Sequence, residues 1–103
     1  MPFLITNKNQ SEMLLAIIAL RDATVIKRDK HKMKRDYYEN LLDCLLLLDE
    51  TNLCTHERNQ LFFSLRKKYW EHKAKYDLFK MRYLSLQTNI DLLLSYEHVV
   101  LSL

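Results

Sequence analysis

The second half of the chain carries an almost unbroken heptad. Phe62, Leu65, Tyr69, His72, Tyr76, Phe79, Tyr83, Leu86, Ile90 and Leu93 follow one another at alternating steps of three and four. Every one is apolar or aromatic except His72. A 3.5-residue period keeps one stripe turned toward a partner helix along its whole length, whereas a 3.6-residue helix lets the stripe drift. Neither glycine nor proline interrupts the run. The pattern predicts a coiled coil, and it leaves the question of which segment supplies the partner.

Composition narrows the answer. The chain has 103 residues, no glycine, and Pro2 as its only proline. Tight hairpins and phosphate-binding loops rely on glycine for positive backbone angles, so P-loop, dinucleotide-binding and glycine-free all-β folds are set aside. The hydrophobic fraction of 49% is too high for a disordered chain. What remains is an all-α fold in one domain. The longest apolar stretch, Met13 to Leu20, is far short of the roughly 20 residues that a membrane span needs. The first twenty residues lack a basic start and a small-residue cleavage site. A soluble, cytoplasmic protein without a membrane span is therefore expected. Cys44 and Cys54 are too few for a disulfide framework, and two free thiols are expected.

Residues 1–10 read as a leader, with Ser11 or Asn9 as the helix cap. A first helix is expected over 11–48, a polar turn at 49–54, and a second helix over 55–101. A connection this short makes the helices antiparallel neighbours. The first helix would be roughly 55–60 Å long. Folding about Asn52 sets Leu41–Leu48 against Thr55–Leu65, and Met13–Leu20 against Leu84–Leu92. The charged middle, Lys27–Arg35, then meets Tyr69–Lys75. The first helix is less regular than the second. Tyr38, Leu41, Leu45 and Leu48 form a heptad near the turn, and Leu14, Ile17, Ile18 and Leu20 an apolar face near the start. Between them the seam weakens. The expected fold is an antiparallel coiled-coil hairpin, with self-association into a bundle as a further option.

Two basic runs coincide in that middle and form a collar. Lys27, Arg28, Lys32, Lys67 and Lys68, with Trp70 outside the heptad, are the candidate partner-binding residues. The plain alternative is a solvated charged face. An acidic protein surface is the leading functional alternative, and nucleic acid, stacked on Trp70, Tyr69 and Tyr76, is less favoured at a formal net charge of only +3. At the far end, Tyr96, Val99, Val100, Leu101 and Leu103 form an uncharged tail. Either Phe3, Leu4 and Ile5 fold over it, or Val100 and Leu103 belong to a partner-binding or oligomerising patch.

Catalysis and metal binding find little support. His31, His56, His72 and His98 are spread along the helices, and no nucleophile–base arrangement stands out. Cys54 and His56 lack ligand spacing, and His72 lies roughly 24 Å further along the helix. His72 reads better as a polar interruption that fixes the register of the seam. No enzyme activity, cofactor or metal is expected.

The segment Asp43 to Leu94 resembles the small coiled-coil stalk proteins of type III secretion systems, the FliJ/YscO family with its InvI-type members. The residues that carry the likeness are Leu45-Leu46-Leu47-Leu48, the polar turn, and Glu57-Arg58-Asn59-Gln60-Leu61-Phe62-Phe63-Ser64-Leu65-Arg66-Lys67. About half of the chain is covered. The resemblance implies an antiparallel coiled coil that stands in the ring of the secretion ATPase, touches the export gate and handles empty chaperones, a role in protein transport and virulence. This chain is richer in Leu and Tyr than such proteins usually are. Two other functions fit the same residues: a small helical secretion chaperone or regulator acting as a dimer or with a partner, and a basic helical regulator that binds nucleic acid.

Overall fold

The computed structural model describes the backbone of residues 7–47 and 55–101, and the side chains of residues 10–47 and 55–95. Two helices account for all of it: α1, Asn7–Leu47, and α2, Thr55–Leu101. They pack against each other as an all-α antiparallel hairpin. The expected turn at 49–54, the Phe3-Leu4-Ile5 segment and the side chains of Val100 and Leu103 lie outside the described residues. Among the described residues no helix is long and apolar enough to cross a membrane.

One boundary moves. Helix α1 begins at Asn7, so Asn9 and Ser11 are helical residues and neither is the cap. Asn, Lys and Gln tolerate a helical backbone at modest cost, and nothing in Asn7–Gln10 forces the chain out of it. Cys44 is free and exposed; Cys54 lies outside the described residues.

Contacts divide the described residues into two compact units: 27–78, and 7–26 together with 79–101. In the Lys27–Leu78 unit, Phe62, Leu65, Tyr69, His72 and Tyr76 are half-buried. In the other unit Phe79, Tyr83, Leu86 and Leu93 are half-buried, and Ile90 is only 2% exposed. The ten heptad residues of α2 therefore all face the seam, including His72.

The facing residues of α1 are less apolar than a coiled coil normally requires. Leu14 and Ile17 are followed in the seam by Arg21 and Thr24 in one unit, and by Arg28, His31, Arg35 and Tyr38 in the other, before Leu42 and Leu45. These positions also alternate by three and four. A period-seven repeat lies behind them: Arg21-Asp22, Arg28-Asp29 and Arg35-Asp36, each arginine half-buried and each aspartate outside it. Arg21 and Asp22 approach to 3.1 Å, Arg28 and Asp29 to 3.1 Å, and Arg35 and Asp36 to 2.9 Å. The aspartate satisfies a guanidinium whose stem covers apolar surface. Thr24, 6% exposed, donates its hydroxyl to the Leu20 carbonyl at 2.7 Å.

Register departs modestly from the simple fold about Asn52. That pivot sets His31 opposite Lys73 and Arg21 opposite Tyr83. In the structure His31 meets His72, and Arg21 Nη1 donates to Gln87 Oε1 at 3.0 Å, one turn beyond Tyr83. The departure is not a matter of arginine reach alone: Tyr38, which the pivot sets opposite Arg66, lies parallel to the His72 ring, and Arg35, set opposite Tyr69, lies over Tyr76, so within the Lys27–Leu78 unit α2 is displaced by a few residues from that register.

Candidate functional site

The site is built in the Lys27–Leu78 unit, where the seam is polar. His31 on α1 and His72 on α2 approach with 3.1 Å between their Nδ1 atoms. Their ring centroids are 5.3 Å apart and their planes differ by 27°. The centroid separation exceeds the nitrogen distance by about two ring radii, so the imidazoles meet edge to edge along the N···N line. One Nδ1 must donate and the other accept. Tyr38 lies parallel to His72 at 5.6 Å and 5°. One turn away the Arg35 guanidinium sits 4.6 Å from the centre of the Tyr76 ring. Arg35 on α1 thus packs against an aromatic face on α2, and Lys68 on α2 lies over Tyr38 on α1, so cation–π and ring contacts stand where leucines are missing.

Lysines gather around this pair. Burial holds His31 below its ordinary value of 6.5, and His72, Lys75, Lys34 and Lys30 push in the same direction. Burial also lowers His72, with Lys34 and Lys75 reinforcing it, Glu71 opposing and Lys68 adding to it. Lys30, Lys34, Lys68 and Lys75 are thus close enough to bear on one histidine pair. Lys68 Nζ additionally lies 5.7 Å from the centre of the Tyr38 ring. Lys27 repeats Lys34 one heptad earlier in the sequence. On helical spacing, these lysines lie along one flank of the seam.

The other flank differs. In an antiparallel pair, residues that hold the same heptad position on the two helices share one side of the hairpin. Asp29, Asp36 and Asp43 follow the seam residues Arg28, Arg35 and Leu42; Phe63 and Trp70 follow Phe62 and Tyr69. Helix α1 is acidic along this side, with Lys32 as an exception, and α2 is aromatic and basic. Phe62, Phe63, Arg66, Lys67 and Trp70 line a shallow groove of about 310 Å³. Phe63 is 79% exposed and Trp70 50%. Lys73 Nζ lies 4.7 Å from the Trp70 ring, and the Arg66 guanidinium 5.9 Å from that of Phe62.

The structure distributes the sequence-derived candidates accordingly. Lys68 joins the lysines around the histidines, Lys67 and Trp70 line the groove, and Lys32 stands on the flank that also carries the aspartates. Arg28 is half-buried and paired with Asp29. Lys30, Lys34 and Lys75 were not singled out from the sequence, nor was His31 as the partner of His72. Reading α1 against itself at a period of seven would have found the Arg-Asp repeat, placed His31 in the seam and Lys34 beside it.

Comparison with protein-family models, with curated proteins and with solved structures gives no match for this chain.

Proposed function

We propose that the chain is a non-enzymatic protein-interaction hairpin of a type III secretion apparatus, a stalk or escort that contacts the export ATPase and its chaperones. One observation carries the interaction reading. Among the described residues only two apolar side chains are buried, Leu45 and Ile90, while sixteen large apolar or aromatic ones are exposed. Such a surface needs something to cover it. The lysines around His31 and His72 give the partner its expected chemistry, an acidic protein surface, because clustered charge steers association. The secretion assignment rests on the resemblance of Asp43–Leu94 alone.

The test is a pull-down from the native cell with the parent chain and a Lys34→Glu/Lys68→Glu/Lys75→Glu variant. The parent is expected to recover the secretion ATPase or its chaperones, and the variant to lose them with helical content unchanged. Recovery of nuclease-sensitive material with a steep salt dependence would instead support the nucleic-acid reading. Capture by the variant equal to that by the parent would refute a lysine-mediated contact. The second reading, a small helical chaperone or regulator that works as a dimer, is favoured by the unlike charges on the acidic and aromatic–basic flank.

A further inference from the structure

We infer that this flank is a self-complementary interface, and that its occupant is a second copy of the chain. The inference concerns the Lys27–Leu78 unit and does not depend on the secretion assignment. Asp36 follows Arg35, whose guanidinium sits over Tyr76. Lys73 follows His72, which is paired with His31 and lies parallel to Tyr38. Asp36 and Lys73 therefore stand at nearly the same height on one side of the unit. Asp43 is one heptad beyond Asp36 toward the turn, and Arg66 is one heptad before Lys73, so they too share a height.

Stack two such units face to face about a two-fold axis parallel to the helices. Helix α1 of each copy then covers α2 of the other, antiparallel and without any shift in height. Asp36 meets Lys73 of the other copy, and Asp43 meets Arg66. The exceptions match as well: Lys32, the base on the acidic helix, comes to Asp77, the acid on the basic one. Leu46, 57% exposed, comes to Phe63, 79% exposed. Each contact occurs twice by symmetry, as in any isologous interface. A two-fold axis perpendicular to the helices would instead lay one row of aspartates on the other, which like-charge repulsion disfavours. The product is a four-helix bundle with both turns at one end, and with Trp70 inside it. The lysines around His31 and His72 remain on the outside, open to an acidic partner.

The experiment is sedimentation equilibrium of the full chain, read together with the emission of Trp70, its single tryptophan. The parent should be a dimer whose tryptophan emission shifts to the red on dilution. Asp36→Lys and Lys73→Asp should each raise the dimer dissociation constant about 30-fold, because two attractive contacts become two repulsive ones. An equimolar mixture of the two variants should recover the dimer, since each then supplies the charge that the other lacks. Asp43→Lys with Arg66→Asp provides an independent pair if either first variant loses helicity. A parent that stays monomeric up to millimolar concentration overturns the inference. So does a dimer indifferent to all four substitutions, which would place the contact on another face. Variants that become monomeric but fail to reassociate on mixing refute the register.

Discussion

The edge-to-edge histidine pair makes the stability of the hairpin depend on pH, with a predictable sign. Both imidazoles sit in the seam, and burial leads the causes that lower their affinity for a proton. The unfolded chain therefore binds more protons than the folded one below the ordinary histidine value of 6.5, and stability falls as pH falls. Above that value the pair is neutral in both states and its contribution is complete. Each proton taken up only on unfolding removes about 1.4 kcal/mol per pH unit. Between pH 6.5 and about 5 that is the upper limit for each histidine, reached only while the imidazole stays neutral in the fold and is protonated in the unfolded chain. The two protons are not equivalent. The first goes to Nε2 of the donating ring and leaves an imidazolium donating across the 3.1 Å between the Nδ1 atoms; a second leaves two Nδ1–H donors facing each other, with Lys30, Lys34, Lys68 and Lys75 nearby. The assay is urea unfolding followed by circular dichroism across this pH range, for the parent and for His31→Asn/His72→Asn, whose amides can still pair but do not titrate. The parent should lose stability more steeply. Because burial leads the causes, added salt should leave most of the difference in place. Equal slopes for the two proteins would refute the coupling of the pair to folding.

Ile90→Ala should cost about 2–4 kcal/mol, because the side chain is 2% exposed and its loss opens a cavity; Leu84→Ala, at 53% exposure, should cost less than about 0.5 kcal/mol. Comparable losses in the melting curves would mean that the seam is misassigned. Replacing both histidines by leucine should raise stability by about 1–3 kcal/mol, since an apolar pair suits a coiled-coil seam better than a hydrogen-bonded polar one. The same substitution should abolish the extra pH dependence, and a lower melting temperature would show that the polar pair stabilises the seam outright.

Much of the architecture is legible in the residues because it follows from local rules. Absence of glycine, a period of 3.5 and a short polar break suffice for two antiparallel helices, and the ten α2 positions from Phe62 to Leu93 all take up the seam. The α1 side was harder to read because its seam is not apolar. A search for leucines sees a gap between Leu20 and Tyr38, whereas Arg21, Thr24, Arg28, His31 and Arg35 continue the same stripe. At the start of α1, Asn9 and Ser11 suit both a cap and a helix, and only the neighbouring backbone decides that they are helical.

The helices, their antiparallel order and the buried face of α2 thus follow from local rules, because periodicity and backbone preference act along one chain. Which residues meet across the seam is a property of two chains of side chains at once. Only the tertiary structure decides that His31 meets His72 rather than Lys73, and that Arg35 lies over Tyr76. The same packing separates one run of charge into two flanks, lysines gathered about the histidines on one side and aspartates opposite Trp70 and Lys73 on the other. Rotation about each helix axis, fixed by what the seam will accept, assigns every remaining charge to its side.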